Sequence, residues 1–495
     1  MVDPEREANR LAGTIPRDTG FIVFLGLGGG FAPIEALKLE DKRVLAIDFN
    51  KDAAAELFSN IDYSALMSDS RFSLLIDPSA ENIKNFILEN YIPSLHGGVK
   101  TIPLRARTEL DPPLFDAAVN AIQEAISEVA GDYSVQAHFG TRWFSNIIRN
   151  IHAAEKTAED PRFYKIPSAV NEAAIVAAGP SLDHQLSALS ERKSRGVFII
   201  SSDTALPALL KRGIPPDAVV SIDCQHFSLY HFFGGVPRGV PLILDIASPP
   251  PLCRLHSTPL FFLSGHPLAR YIGSAWRPFP EIDTSGGNVT YACLSLAEKL
   301  GAGSVTLFGA DFAYIGQKTY ARGTYIYPYF AKRQNRFSTM EALLSSFLYR
   351  SPFLPKKTEN QNYRETSSLC FYREKLEEKA KKMDAVIRAM EGDGAPIKLP
   401  EKKQASSRKA SGLFPEKRKA KITASQFLEQ YRSDIACLPV ARAPLDGKNA
   451  LILSTILPAA AAIKLRNNAL SARDLIEKTK QYCVRRIDDL IDNLS

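Results

Sequence analysis

Residues 172–223 read EAAIVAAGPSLDHQLSALSERKSRGVFIISSDTALPALLKRGIPPDAVVSID. EAAIVAAGPSLD is an apolar run entering a glycine-proline turn, as a buried strand does at its end. GVFIISSDTALPALLKRG is a strand with Asp203 at its tip, then a helix that stops at Gly213. PDAVVSIDCQH is another strand tipped by an acid, Asp223. Downstream, VPLILDIASPP and PLFFLSG add two more strands. TSGGNVTYACLSLAEKLGAG is a glycine turn and a helix, and SVTLFGADFAY is a further strand. Strand and helix alternate, which predicts an α/β domain with a mostly parallel, doubly wound sheet. In such sheets ligands lie beyond the C-terminal strand ends, where the strand order reverses. Gly179, Ser181, Asp203, Asp223, Ser285 and Asp311 all fall at those ends.

Upstream, residues 19–50 read TGFIVFLGLGGGFAPIEALKLEDKRVLAIDFN. An apolar run, the turn Gly26, Gly28, Gly29 and Gly30, a helix and a second run ending in Asp48 form a nucleotide-binding pattern. The glycines would let a helix start meet a phosphate, and Asp48 would take a ribose hydroxyl. Any βαβ unit needs a tight first turn, so an empty structural turn fits equally. Residues 114–155 read as helix, with Phe144, Ile147, Ile148 and Ile151 at helical spacing. A charged helix is expected over 371–392, and helices over 424–440 and 470–494. The expected organisation is an N-terminal α/β Rossmann-like domain at 1–165 and a central domain at 166–370. A helical region follows at 371–495, with a basic linker at 395–423.

The chain has 495 residues, 61 Lys plus Arg, 54 Asp plus Glu and a net charge of +7. Nine basic residues and two acids lie between Lys398 and Lys421, so this stretch equals the whole excess. It lacks an apolar period and reads as a solvated tether. No aromatic residues interleave with its charges, so nucleic acid is not an expected partner. The six cysteines contain no C-x-x-C pair, and no metal site is expected. The N-terminus has no secretory pattern. No uncharged apolar stretch reaches the roughly 18 residues of a membrane helix. The nearest, Ala450 to Ile463, carries Pro458. No membrane span and a cytoplasmic location are the expectation.

Gly179-Pro180-Ser181-Leu182, the acids Asp203 and Asp223, Thr284-Ser285-Gly286-Gly287 before an Ala-rich helix, and Gly309-Ala310-Asp311-Phe312 together resemble a known family. They look like the motility-associated factor (Maf) flagellin glycosyltransferases, over about 172–350. These carry a domain also described as DUF115 or 6-hydroxymethylpterin pyrophosphokinase MptE-like, similar to bacterial sialyltransferases. The resemblance implies transfer of a nonulosonic, sialic-acid-like sugar from a CMP-activated donor to Ser or Thr of flagellin, for motility. It implies no required cofactor.

By that resemblance Gly179, Pro180, Ser181, Asp203, Thr284, Ser285, Gly286 and Gly309 bind the donor, and Tyr320 supports the departing phosphate. The sialyltransferases place a histidine beyond this last strand as general base, and here the last histidine is His266. Asp311 is the first candidate for the base and Asp223 the second. Two alternatives stand beside this one. One is a non-catalytic flagellin-handling factor. The other is a Mg²⁺-dependent pterin pyrophosphokinase, whose pattern has two acids where Ile222-Asp223-Cys224-Gln225 has one.

Overall fold

The computed structural model describes residues 3–158, 167, 169–255, 259–357, 361–402, 420, 422–440, 445 and 447–492. Two compact units emerge: Met1–Phe144 with Glu429–Ser495, and Ser145–Leu428.

In the first unit, β1 (Thr19–Leu25), β2 (Arg43–Asp48), β3 (Phe72–Ile76) and β4 (Gly98–Pro103) form a parallel sheet in the order β3-β2-β1-β4. Every residue of β1 is buried because helices cover both faces of this central strand. Its side chains alternate: Ile22 and Phe24 enter one core, Phe21 and Val23 the other. The second core also takes Phe115, Ala118 and Ile122 from the long helix Pro112–Ala158. That helix confirms the periodicity read over 114–155, and Phe144, Ile147, Ile148 and Ile151 are all buried.

Helices Gly447–Arg466 and Ala472–Asp492 complete this unit. By length and composition the first of them would suffice to cross a membrane, which the sequence reading did not anticipate. Here its Ile452, Ile456 and Ala459 to Ala462 are buried. Gly140 lies so close to it that a Cβ would sit 1.6 Å from the Pro458 carbonyl oxygen. On the last helix, expected over 470–494, Cys483 and Ile487 are buried, and residues 493–495 lie outside the described residues.

In the second unit, β5 (Glu172–Val176), β6 (Phe198–Ser202), β7 (Ala218–Ser221), β8 (Leu242–Asp245) and β9 (Pro259–Phe262) step outward in sequence. The chain then returns to the other side of β5 as β10 (Ser304–Phe308). A small antiparallel ribbon pairs β11 (Tyr314–Ile315) with β12 (Tyr363–Arg364). The strand β13 (Val386–Ala389) ends the main sheet, whose order is β13-β10-β5-β6-β7-β8-β9, parallel throughout. This is the expected doubly wound architecture, and strand order reverses between β5 and β10.

One expectation is corrected. The stretch 371–392 is not a single helix: the helix Ser367–Lys382 ends and β13 follows, pairing with β10. Leu376, Ala380 and Met383 supply a helical stripe, but Ala385 and Ile387 enter the same core at strand spacing, with Ile387 paired to Val305. The segment 371–395 therefore belongs to the second unit, and the last two helices belong to the first. Of the basic linker expected at 395–423, residues 403–419 and 421 lie outside the described residues. Its start packs on the second unit, where the Ala395 amide donates to the Asp311 carbonyl and the Lys398 amide to Glu377.

Candidate active site

At the reversal point the Gly179-Pro180-Ser181 turn is closed from within. The Gly179 amide donates to the Gly309 carbonyl, and the Ser181 amide donates to Asp311 Oδ2 at 2.8 Å. A side chain at Gly179 would collide with that carboxylate, 2.3 Å from the Cβ position, so glycine is required there. The segment after β13 then crosses the turn. The Asp393 amide donates to Ser181 Oγ, and Gln185 Nε2 donates to the Glu391 carbonyl. Pro180, Ser181 and Asp311 are buried. Burial pushes the Asp311 carboxyl up, against the hydrogen bonds from Ser181. The expected first-choice base is thus a positioning residue, and the Ser181 hydroxyl, expected on a donor phosphate, is engaged by the protein itself.

A different convergence forms past β6 and β7. Asp203 is fully buried. It accepts from Ser221 Oγ at 2.6 Å, from the Thr204 amide at 2.6 Å and from Thr204 Oγ1 at 3.0 Å. His231, in the short 3-10 helix His226–Phe232, turns Nδ1 to Asp203 Oδ2 at 3.3 Å. Burial alone would raise the Asp203 carboxyl. The His231 charge and the hydrogen bonds from His231, Ser221 and Thr204 outweigh it and hold the carboxyl below its ordinary range. A buried acid on Nδ1 fixes the imidazole's orientation and leaves Nε2 for proton exchange. Among the described residues Nε2 makes no hydrogen bond.

Asp223 stands beside this pair, open to solvent yet closely ringed by protein. Crowding by the surrounding protein and then the Asp203 charge raise its carboxyl, while His231 opposes them. Tyr320 and Tyr325 share the same field. Burial first, then Tyr314 and the two acids, push Tyr320 up to about 12, with Arg350 opposing. Tyr325 is raised by burial and by Tyr320, and its ring lies 4.6 Å from that of His231. Both phenols stay protonated at neutral pH and are hydrogen-bond donors. The Tyr320 backbone is held from below, where the adjacent Ala321 amide donates to the Ala178 carbonyl at the glycine-proline turn.

The Thr284-Ser285-Gly286 turn opens the helix Val289–Lys299, capped by Asn288. The Ser285 amide donates to Asp283, and its hydroxyl lies 3.3 Å from the Tyr291 hydroxyl. Gly286 packs on the Tyr291 ring, 2.1 Å from a built Cβ, so no side chain fits there. Ser285 is exposed. Tyr372 links this turn to the acids: it covers Gly287, and burial together with the Asp223 charge raises its hydroxyl.

In the first unit, the glycine turn holds no free carboxylate. Asp48 is buried and accepts from the Leu27 amide at 2.8 Å, the Phe49 amide at 2.9 Å and Arg107 Nη2 at 2.6 Å. Gly26, Gly28 and Gly30 all have positive φ, and a Cβ on Gly26 would press on Arg107. Tyr63 donates to the Gly28 carbonyl. The ribose role expected of Asp48 is filled by the protein's own donors.

Of the expected residues, Asp203, Asp223 and Tyr320 are brought together. His231, Ser221, Tyr325, Arg350 and Tyr372 were missed. His231, eight residues past Asp223, is the one signal the sequence carries, and the family resemblance points past β10 for a base instead. Two buried amides support the site. Asn146 Nδ2 donates to the carbonyls of Cys224 and Ala247, and Asn150 Nδ2 to those of Ile246 and Ser248, fixing the loops after β7 and β8.

The raised Asp223 carboxyl gives a test by pH. A carboxyl that binds its proton more tightly when folded lowers stability as pH rises from the unfolded value, about 3.9, through the folded one. Asp223→Asn is therefore expected to melt higher than the parent at pH 7 and equal to it below about pH 4. Thermal melts at both pH values check this; a lower melting temperature at pH 7 would contradict the crowded-acid geometry.

A family model described as 6-hydroxymethylpterin diphosphokinase MptE-like matches residues 145–317. An uncharacterized protein of Treponema pallidum (strain Nichols) is 28% identical over 181 residues, which is 36% of this chain and 84% of the relative. A second from the same organism is 34% identical over 133 residues, 26% of this chain and 47% of its own length. The chain thus spans about half of that second relative. A solved Maf glycosyltransferase from Magnetospirillum magneticum AMB-1 superposes with a TM-score of 0.55 at 14% identity, over 99% of this chain and 78% of the other. At that identity the likeness is one of fold. The MptE-like match thus covers residues 145–317, about a third of the chain, and the fold as a whole is similar to that of the Maf glycosyltransferase.

Proposed function

We propose that this protein is a glycosyltransferase that moves a nonulosonic, sialic-acid-like sugar from its CMP-activated donor to a Ser or Thr hydroxyl of flagellin in the cytoplasm. The observation that carries it is the Asp203–His231 pair beside Asp223, Tyr320 and Tyr325 at the strand ends. The acceptor hydroxyl gives its proton to His231 Nε2 as its oxygen bonds the anomeric carbon. The bond from that carbon to the CMP phosphate oxygen breaks, and CMP leaves with the electron pair. Asp203 orients the imidazole and stabilises the imidazolium that forms. In this scheme the Tyr320 and Tyr325 hydroxyls and Arg350 donate to the leaving phosphate, whose charge grows in the transition state. Ser285 and Thr284 hold the donor from the opposite turn. No resident metal or cofactor takes part in this scheme.

The family description favours a second reading, Mg²⁺-dependent diphosphoryl transfer from ATP to a hydroxymethylpterin. Asp223 would serve as one metal ligand, whereas the Asp203 oxygens already accept from Ser221, Thr204 and His231. Calorimetric titration separates the readings. CMP binding without Mg²⁺, weakened at least about tenfold in Ser285→Ala, is the expected result. ATP binding that requires Mg²⁺ would overturn it in favour of the kinase, and binding of neither would favour a non-catalytic flagellin-handling factor.

A further inference from the structure

Outside the basic linker the chain is formally neutral, yet its charge is unevenly spread. Between residues 316 and 357 there are eight Lys or Arg against one acid, Glu341. Here the helices Ile326–Ala331 and Met340–Leu348 form a hairpin. Its tip is a tight turn. The Asn335 and Ser338 backbones exchange hydrogen bonds, and Asn335 Oδ1 accepts from the Phe337 and Ser338 amides. The turn presents Phe337, which is 94% exposed, among exposed Lys332, Arg333 and Arg336. Ring contacts run from the hairpin to a second protrusion: Arg333 lies 3.5 Å over Tyr329, Tyr329 meets Tyr230, and Tyr230 meets Phe233, which is 67% exposed.

We propose that this tip is a membrane-contact element that seats the hairpin on an anionic bilayer. Phe337 enters the headgroup and acyl boundary, and the surrounding cations meet lipid phosphates. Three observations favour a bilayer over a nucleic acid or an acidic protein. The hairpin rings that could stack a base are already covered: Arg333 lies over Tyr329, and Arg350 lies 4.0 Å over Phe347. The exposed Phe337 ring sits at the end of a turn rather than in a groove. The turn is fixed by its own asparagine, so the ring protrudes without further ordering.

The test is co-sedimentation of the full chain with phosphatidylcholine vesicles, with and without phosphatidylglycerol. The parent is expected to partition onto the anionic vesicles alone. Lys332→Glu combined with Arg336→Glu should lower that partition at least about thirtyfold. Phe337→Ser should lower it about tenfold, with thermal melts unchanged in all variants. Equal binding to neutral vesicles would overturn the proposal. So would unchanged partition in both variants, which would assign the attraction to another basic segment such as 398–421. Tighter binding to a single-stranded oligonucleotide or to polyglutamate, insensitive to Phe337→Ser, would assign the tip to a different polyanion.

Discussion

His231→Ala is expected to lower transfer from a CMP-activated nonulosonic acid by about 10²–10⁴-fold, the range a positioned general base supplies. The loss should fall on kcat, with CMP affinity and melting temperature near those of the parent. The physical reason is the division of labour past β6 and β7. Asp203 is buried and saturated by Ser221, Thr204 and His231, so it has no oxygen left for an acceptor. His231 presents Nε2, the one atom of the pair able to take a proton. Asp203→Asn should cause a smaller loss, because the imidazole keeps a partner on Nδ1 while the imidazolium formed in the reaction loses the charge that stabilises it. A purely structural histidine would instead lower the melting temperature and leave kcat of the folded protein unchanged. Full activity of His231→Ala would transfer the role of base to Asp223.

Asp48→Ala is expected to destabilise the protein by about 3–5 kcal/mol, the penalty for leaving one member of a buried ion pair without its partner. Both Asp48 and Arg107 are largely shielded from water, and they meet at 2.6 Å. The Leu27 amide loses its acceptor at the same time, which loosens the glycine turn. Denaturant unfolding checks the magnitude. CMP and ATP titrations accompany it, because a ribose-binding acid would show the opposite pattern: weaker nucleotide binding in a protein of unchanged stability. Asp48→Asn, which keeps the shape and the acceptor oxygen for Leu27, should lose less than Asp48→Ala.

The contrast between Asp48 and Asp223 shows how far a sequence speaks. Both end an apolar strand, and both read as ligand-binding acids. Asp48 is neutralised by an arginine 59 positions downstream, whereas Asp223 faces a second acid and stays open to solvent. Pairing between residues so far apart leaves no local trace. Asp311 makes the same point. Its position at a strand end was legible, but Gly179 and Gly394 press so closely around it that it braces a turn instead of meeting a substrate. Gly392 and Gly394 carry that segment over Ser181, and β13 brings it there, where the charge pattern alone suggested a continuous helix.

The sequence by itself determined the doubly wound sheet, the long helix Pro112–Ala158 and the strand ends at which the chemistry gathers. Those features rest on local periodicity, on glycine turns and on the two-faced burial of parallel strands, all written within a few residues of one another. Only the tertiary structure decided which of the acids are free. It paired Asp48 with Arg107, bound Asp311 to the Ser181 amide and set His231 against Asp203. A carboxylate's role follows from its neighbours in space: the donors that reach it and the water that remains around it are set by contacts between distant segments.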